Sequence, residues 1–354
     1  MAQDKDLVWQ KLTALWEDDR APTLPAKDHR YAIISDTHFG NGGEADDFYK
    51  NRGALINALD FYREWDYSLI LLGDIEEFWQ FDLPEIVSRY ADAPDPRIYP
   101  RIKQFGDDRV HRVFGNHDYE WGGLVDPTLN APDVSSFADE AIRLETVDGE
   151  LCLLLAHGHQ GSIESDKLAW MSRFFVRLYR GVEPWVRWTG FGVAGSSTKS
   201  QVARDFERTM YGWAKQNKVL FICGHSHRAI FASKSHAERL REQISELQAQ
   251  NLMRGTRKTT RKANLQQIET LQSQYENEKD RGRVIEPVDP EEPQPLPCYF
   301  NSGCGLYTDG LTCPEIDDDI IRLVKWSKYT LSHQPRQVYH QGRISEFVDQ
   351  IQDG

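Results

Sequence analysis

The chain has 354 residues, 40% hydrophobic and 27% charged, enough for one large domain with insertions or for two ordinary domains. Its net charge of −13 argues against a protein that coats nucleic acid by bulk electrostatics, although a local basic patch can still bind phosphate. The N-terminal stretch lacks the basic start and apolar core of a signal peptide, and no apolar run approaches a membrane span. The five cysteines include no CxxC pair, so we expect a cytoplasmic protein with reduced thiols.

The first two thirds of the chain alternate between helical and strand-like patterns. Residues 5–20 carry apolar side chains at helical spacing, which predicts an N-terminal helix. Five short apolar runs follow, each ending in polar residues: YAIISDTHFG, SLILLGDIEEFW, RVHRVFGNHDYEW, LCLLLAHGHQG and VLFICGHSHRA. Runs of this kind predict strands that are covered on both faces, and Asp148-Gly149 predicts a hairpin turn before the fourth run. The coarse architecture is therefore a mixed sheet covered by helices.

Two segments interrupt this alternation. Residues 160–215 are helix-like and rich in aromatic residues and arginines. Residues 235–283 carry apolar positions at helical spacing on both sides of MRGTRKTTRK, which predicts a helical hairpin. The basic residues at its tip are Arg254, Arg257, Lys258, Arg261 and Lys262. A proline-rich linker follows, and CYFNSGCGL and IIRLVKW then predict closing strands.

The polar residues after the five apolar runs are almost all Asp, Asn or His. They are Asp36, His38, Asp74, Asn116, His117, Asp118, His157, His159, His225 and His227. Because residues i and i+2 of an extended segment point to the same side, both members of an Asp-x-His or His-x-His pair can reach one centre. Imidazoles and carboxylates together bind divalent ions such as Mn²⁺, Fe²⁺ and Zn²⁺. There are too many of them for one ion, so the pattern predicts a dinuclear metal site.

The motifs DTH, GD, GNHD, HGH and GHSH, in this order over about residues 31–230, resemble those of the calcineurin-like metallophosphoesterases. The resemblance implies an α/β fold, a four-layer α/β/β/α sandwich, to which the helix-like segment 160–215 would add a lid and the helical spacing of 235–283 an inserted helical hairpin. Together with the sequence patterns above, it predicts a division into an N-terminal helix and lead-in, a core with its lid, a hairpin insertion with its linker, and closing strands with a C-terminal tail. These would span residues 1–30, 31–234, 235–297 and 298–354.

The same resemblance implies roles for the polar residues. One ion would be held by Asp36, His38 and His227, the other by Asn116, His157 and His225, with Asp74 bridging both. The implied cofactors are two divalent metal ions, Mn²⁺ first and Fe²⁺ or Zn²⁺ as alternatives. His117 would contact a phosphate oxygen or protonate the leaving group, and Asp118 would orient His117.

The substrate is less closely defined. GDIEEFW is similar to the UDP-2,3-diacylglucosamine pyrophosphohydrolases of lipid A synthesis in its placement of Glu77 and Trp79, although many of those enzymes carry Arg where this chain has His117. Candidate substrate-binding residues are Glu77, His159, Arg173, Arg177 and Arg180. The arginines of 160–215 could hold a diphosphate beside an acyl chain, rest on an anionic membrane surface, or belong to a packed helical pair.

The predicted function is metal-dependent hydrolysis of a phosphodiester or pyrophosphate bond, on a nucleotide-linked lipid or sugar. A nuclease that contacts nucleic acid or a protein partner through residues 250–262 is an alternative, which the acidic composition disfavours. A non-catalytic scaffold of the same fold would be expected to have lost metal ligands, and every expected ligand is present.

Overall fold

The three-dimensional structure is a computed structural model that describes residues 5–92, 97–119, 138–160, 196–253, 255, 257–280, 288, 292, 294–307, 309–327 and 335–354. Its helices within these ranges are α1 (Lys5–Glu17), α2 (Arg52–Glu64), α3 (Leu83–Val87), α4 (Ile98–Lys103), α5 (Ser196–Asn217), α6 (His236–Leu252), α7 (Lys258–Asp280) and α8 (Ile344–Asp353). The strands are β1 (Thr23–Pro25), β2 (Arg30–Ile34), β3 (Ser68–Leu72), β4 (Val110–Val113), β5 (Ala141–Glu145), β6 (Leu151–Ala156), β7 (Leu220–Cys223), β8 (Ala229–Phe231), β9 (Lys234–Ser235), β10 (Tyr299–Ser302), β11 (Gly310–Asp317), β12 (Ile320–Ser327) and β13 (Arg336–Arg343).

The strands form two sheets rather than the single sheet that the apolar runs alone suggested. Sheet A has the order β1-β5-β6-β7-β10-β8-β9, and sheet B has the order β13-β12-β11-β2-β3-β4. Three of the five apolar runs lie in sheet B as parallel neighbours, β2, β3 and β4. The other two lie in sheet A as the parallel pair β6 and β7. Both sheets are mixed, because antiparallel strands complete each of them.

The apolar runs are continuous because each central strand is covered on both faces. In β2, Tyr31 and Ile33 belong to the core between the two sheets. Their neighbours Ala32 and Ile34 belong to a second core beneath the helices on the outer face of sheet B. A strand with period-2 side-chain alternation needs apolar residues at every position when both faces are buried, and this explains the missing alternation.

Helices cover the outer face of each sheet. On sheet B, α2 packs on β11 and β12, and on sheet A, α5 packs on β7 and β10. The N-terminal helix α1 is confirmed and packs on α5, with Val8 and Leu12 fully buried. The indole of Trp213 donates to Thr13 Oγ1 across this contact at 3.0 Å. The layers therefore run helix, sheet, sheet, helix, as a metallophosphoesterase sandwich requires.

Several predicted elements are confirmed and others were missed. The hairpin at Asp148-Gly149 joins antiparallel β5 and β6, and α6 and α7 form the predicted helical hairpin. The closing strands are β10 and β12, but β11, β13 and α8 were not predicted. Residues 161–195 of the predicted lid, with Arg173, Arg177 and Arg180, lie outside the described residues.

The cysteines and helices bear on the remaining expectations from composition. All five cysteines are buried and free, as expected for reduced thiols. None of the helices in the described ranges combines the length and apolar character that crossing a bilayer would need.

Candidate metal centre

The residues that follow the carboxyl ends of β2, β3, β4, β6 and β7 meet where the two sheets come together. Asp36 and His38 follow β2, Asp74 follows β3, and Asn116 follows β4 in sheet B. His157, His225 and His227 follow the two strands of sheet A. The centre is thus assembled from both sheets, at the strand ends where α/β folds bind ligands.

One group of potential metal ligands contains Asp36, His38 and His227, whose ligand atoms all lie within 4.8 Å of one another. His227 Nε2 is 3.2 Å from Asp36 Oδ1 and 3.3 Å from His38 Nε2. The backbone N–H of His225 also donates to Asp36 Oδ1 at 3.0 Å. The spacing of these donor atoms suits a single divalent ion between them.

A second group contains Asp74, His157 and His225, whose ligand atoms also lie within 4.8 Å of one another. His157 Nε2 faces Asp74 Oδ2 at 3.1 Å. The two groups adjoin, because His157 Nε2 is 4.0 Å from Asp36 Oδ1 and His38 Nε2 is 3.8 Å from Asp74 Oδ2. Two ligand groups therefore lie side by side, each with a carboxylate and two imidazoles.

Glu77 fixes the orientation of two imidazoles, that of His38 in the first ligand group and that of His117 beside it. Its Oε2 lies 2.9 Å from His38 Nδ1, and its Oε1 lies 2.8 Å from His117 Nδ1. Burial alone would raise the pKa of Glu77, but the neighbouring His117 and His38 lower it to about 2. An ionised carboxylate only accepts hydrogen bonds, so both Nδ1 atoms must donate. A His38 ring that carries one proton, on Nδ1, has its lone pair on Nε2, the atom that faces the other members of the first ligand group.

A backbone carbonyl, rather than a carboxylate, sets which ring nitrogen of His157 carries the proton. Its Nδ1 lies 2.9 Å from the carbonyl oxygen of Leu72, which can only accept. Nδ1 therefore donates, and loss of the second proton leaves the lone pair on Nε2, toward Asp74. Leu72 ends β3, so the backbone of sheet B aligns a ligand carried by sheet A.

Asn116 carries an unsatisfied buried atom at this place. Its Oδ1 is buried and has no hydrogen-bond partner within the described part of the chain, whereas its backbone carbonyl accepts from the Trp79 indole at 2.8 Å. A buried amide oxygen without a partner costs free energy unless something binds it. The uncharged oxygen suits a divalent cation, which agrees with the predicted role of Asn116.

His117 and Asp118 do not form the pair that the sequence predicted. The Asp118 carboxylate accepts from the backbone N–H groups of Gly115 at 2.5 Å and Ile75 at 2.7 Å. The expectation that Asp118 orients His117 is therefore corrected: Glu77 holds His117 Nδ1, and Asp118 ties together the two loops that follow β3 and β4. Both oxygens of Glu77 contact histidines, His38 and His117, so the structure gives it a positioning role; its contact with substrate stays a prediction.

Burial and charge set the protonation of the centre. Burial opposes ionisation of Asp74, but His157 and His117 hold its pKa well below the ordinary value. Burial opposes protonation of His117, yet Asp74 and Glu77 raise its pKa to about 9. Burial, assisted by repulsion from His157, lowers the pKa of His225 to about 3. At neutral pH and without metal, the centre therefore has an ionised Asp74, a neutral His225 and a cationic His117. His157, whose pKa Asp74 and Asp36 raise to about 10 against the effect of burial, is protonated as well.

The backbone is held in an uncommon conformation at five predicted ligands. Their φ angles lie between 48° and 66°, in the left-handed region: Asp36, His38, Asp74, His225 and His227. Such angles cost free energy for residues other than glycine and concentrate at functional sites. Glycine is required beside them for space, since a Cβ on Gly115 would lie 2.1 Å from Asp74 Oδ1 and one on Gly224 would lie 2.3 Å from Asp36 Oδ2.

A second set of residues, which the sequence analysis did not identify, supports the loop of His225 and His227. Ser226, between those two histidines, donates to Glu207 Oε1 at 2.8 Å and accepts from Asn301 Nδ2 at 3.1 Å. Asn301 also donates to the carbonyl of Gly224 at 2.6 Å. Arg228 pairs with Glu207 at 2.6 Å. Asn301 could be found from its NSG motif, but Glu207 lies in a helix with no local pattern that marks it.

Two neighbours of the motif residues lie in the protein interior. Glu76 is fully buried and accepts from Arg112 Nη1 at 2.6 Å and from the Tyr99 hydroxyl at 2.8 Å, so it is a structural residue. His159 is also buried, with its ring centre 5.7 Å from that of His157. Burial and repulsion from His157 hold the pKa of His159 well below its ordinary value, so it is neutral. Its contact with substrate stays a prediction.

Comparison with known proteins agrees with this geometry. The family model of the calcineurin-like phosphoesterases matches residues 29–229, more than half of the chain. A search of curated proteins finds no match for the chain. The matched range contains every predicted metal ligand and both ligand groups. The chain belongs to the calcineurin-like phosphoesterase family and is a phosphoesterase with His and Asp groups suited to divalent metal ions.

Proposed function

We propose that the protein is a dinuclear metal-dependent phosphohydrolase that cleaves a phosphodiester or pyrophosphate bond. The observation that carries this proposal is the adjacency of the two ligand groups, linked by the 4.0 Å approach of His157 to Asp36 and the 3.8 Å approach of His38 to Asp74. Two ions at such a pair of sites would be about 3.5–4 Å apart, the separation typical of two-metal hydrolases.

The ligands divide between the ions as follows. Asp36, His38 and His227 would hold one ion, and His157 and His225 the other together with Asn116, whose buried Oδ1 has no other partner in the described chain. Asp74, which approaches both groups, would bridge them. Two divalent ions, Mn²⁺ in our proposal, would neutralise phosphate oxygens and supply hydroxide near neutral pH.

His117 would supply the proton or positive charge that the leaving group needs. Its Nδ1 is engaged by Glu77, so Nε2 is the ring atom available to a substrate. The ring stacks on Trp79, with centroids 4.0 Å apart and planes 19° apart, which restricts its rotation. Without metal, and against the effect of burial, Asp74 and Glu77 raise the pKa of His117 to about 9; Glu77, which is not a proposed ligand, would still favour the protonated ring when ions are bound. A positioned imidazolium of this kind acts as a general acid toward a departing oxygen.

The choice of a diester or pyrophosphate rests on His117 and on the family. A nucleotide-linked lipid or sugar is the substrate class that the resemblance of GDIEEFW to the lipid A pyrophosphohydrolases favours. Glu77, part of that motif, positions His38 and His117, and this is a role that any phosphodiesterase of the family can use. We therefore propose the broader phosphodiesterase class first.

The test combines metal analysis with a substrate panel. The purified protein should retain Mn, Fe or Zn in a ratio approaching two per chain. With Mn²⁺ it should hydrolyse an aryl phosphodiester or a nucleoside-diphosphate-linked lipid faster than an aryl phosphomonoester or single-stranded DNA. Hydrolysis of the monoester alone would refute the diester choice, and preferential cleavage of DNA would favour a nuclease instead.

A further inference from the structure

The tip of the helical hairpin, residues 252–265, is positively charged, although the chain as a whole is negatively charged. Residues 252–265 contain five basic residues and no acidic residue, whereas the whole chain carries −13. Four of the five lie in the described residues and are exposed: Arg257, Lys258, Arg261 and Lys262. In a chain whose net charge is negative, this segment is a local attractor for an anionic surface.

The tip is also apolar. Leu252, the last residue of α6, has 85% of its surface exposed and is the most exposed large apolar residue in the described ranges. Met253 follows with 62% exposed, and Leu265 on α7 with 56%. Neighbouring exposed apolar side chains are uncommon on a protein surface unless they meet a partner or a lipid phase.

The basic and apolar residues of α7 share one side of the helix. Lys258, Arg261, Lys262 and Leu265 follow the i, i+3, i+4, i+7 spacing that places side chains on one helical face. Leu252 and Met253 lie at the end of α6, where the chain turns toward α7. The tip therefore combines exposed apolar side chains with several positively charged side chains close to them in the sequence.

The helical hairpin of α6 and α7, which we call the arm, is held in a fixed conformation by contacts at its base and near its tip. The 17 residues of α6 make an arm about 25 Å long. A capping box between Ser235 and Glu238 fixes its base. Near the tip, the buried Asn264 of α7 donates to Asn251 Oδ1 of α6 at 3.0 Å, and Ile268 and Leu271 are buried along the hairpin. A preformed arm presents its tip without an ordering cost on binding.

We propose that this tip docks on the surface of an anionic phospholipid bilayer. Leu252 and Met253 enter the boundary between headgroups and acyl chains, while Arg257, Lys258, Arg261 and Lys262 meet lipid phosphates. Shallow apolar insertion and attraction to anionic lipids together give peripheral binding, which neither component supplies strongly alone. Repulsion between the acidic remainder of the chain and the bilayer would hold the protein away from the lipid, with the arm as its contact.

The apolar residues favour lipid over nucleic acid as the anionic partner. Residues 252–265 contain no aromatic side chain on which a base can stack. Exposed leucine and methionine gain nothing from a phosphate backbone, whereas an acyl phase accepts them readily. The inference is independent of the reaction at the metal centre, because no residue of the tip belongs to either ligand group.

The experiment is co-sedimentation of the full chain with vesicles. The protein should bind vesicles of equal parts phosphatidylglycerol and phosphatidylcholine, and should bind pure phosphatidylcholine at least about tenfold more weakly. The variant R257Q/K258Q/R261Q/K262Q and the variant L252S/M253S should each weaken binding to the anionic vesicles by at least about tenfold. Added salt should weaken the wild type more than the charge variant.

A matched control removes the same charge elsewhere. In R20Q/K27Q/K50Q/K103Q all four replaced residues are exposed and lie outside the hairpin, and binding should be retained. Circular dichroism of each variant verifies folding. Equal binding to neutral and anionic vesicles, or full binding by the tip charge variant, would overturn the proposal. So would binding of a duplex oligonucleotide through the tip while anionic vesicles stay unbound.

Discussion

The carboxylate of Glu77 holds the imidazole of His117 through the 2.8 Å contact between Oε1 and Nδ1. The same carboxylate reaches His38 Nδ1 at 2.9 Å, so one buried side chain links a predicted metal ligand to the predicted proton donor. Its ionised state at neutral pH is what makes both imidazole Nδ1 atoms donors. If His38 binds metal and His117 donates a proton, as we propose, Glu77 would couple the two functions.

Glu77→Gln should weaken both properties at once. An amide places a donating nitrogen at one of the two positions, Oε1 and Oε2, that now accept from His117 and His38, so one of these contacts would become donor to donor. We expect metal affinity to fall about 10–100-fold, the usual effect of losing the partner of a ligating histidine. The pKa of His117 should also fall, which an NMR titration of the metal-free protein would detect. The exposed Glu44→Gln is the control, and an unchanged metal affinity in Glu77→Gln would contradict the assignment.

Asn116→Ala and His117→Ala should separate metal binding from turnover. Asn116→Ala removes the buried Oδ1 that a cation would satisfy, and we expect it to lose bound metal, as measured by elemental analysis. His117→Ala should keep its metal and lose turnover on an aryl phosphodiester by about 10²–10⁴-fold, the usual contribution of a general acid. Full metal loss in His117→Ala would place that ring among the ligands instead.

Metal affinity should rise with pH because of His157. Burial opposes protonation of its ring, but Asp74 and Asp36 raise its pKa to about 10, so the metal-free ring is protonated at neutral pH. An ion must displace that proton from Nε2, and the apparent affinity should therefore increase by up to about tenfold per pH unit below pH 10. Calorimetry in two buffers of different protonation enthalpy would count the released proton.

The exposed His29→Gln is the control for this measurement and should leave the slope unchanged. An affinity that does not change between about pH 6 and pH 9 would mean that His157 is already neutral or does not bind the ion.

The buried Glu76–Arg112 pair should matter for stability rather than for chemistry. Arg112 donates to Glu76 at 2.6 and 3.1 Å, and both side chains are almost completely buried. Glu76→Ala leaves a buried guanidinium without its carboxylate, and we expect the free energy of unfolding in urea to fall by about 3–5 kcal/mol. The double variant E76L/R112M removes both charges and should cost much less. Equal losses in the two variants would show that packing, not the unpaired charge, sets the cost.

The sequence was sufficient to select the candidate ligands because each lies in a short motif at a strand end. Asp36 and His38, or His225 and His227, are separated by one residue, and the apolar run before each pair identifies the strand. The same local information placed the N-terminal helix and the helical hairpin. Local sequence information did not predict the number of sheets. A strand that is buried on both faces has the same continuous apolar sequence whether the protein has one sheet or two.

The contacts between motifs could not be predicted from the sequence. Asp118 was expected to hold His117 because the two are adjacent, but adjacent residues in a turn point in different directions, and Asp118 turns toward Gly115 and Ile75. Glu77 reaches His117 only because the loops after β3 and β4 lie side by side. Glu207 lies in a helix about 20 residues before Ser226 and accepts its hydrogen bond. No local sequence pattern indicates that this glutamate is buried.

The division of the ligands between two sheets gives the inter-sheet core an additional role. Its side chains, such as Ile33 and Ile70 on sheet B and Leu153 and Leu155 on sheet A, act as spacers that set the gap between the two halves of the centre. A methylene added or removed there shifts one half against the other, and displacements near one ångström are large compared with the tolerance of a coordination bond. We therefore expect substitutions in this core, far from any phosphate, to change the catalytic rate.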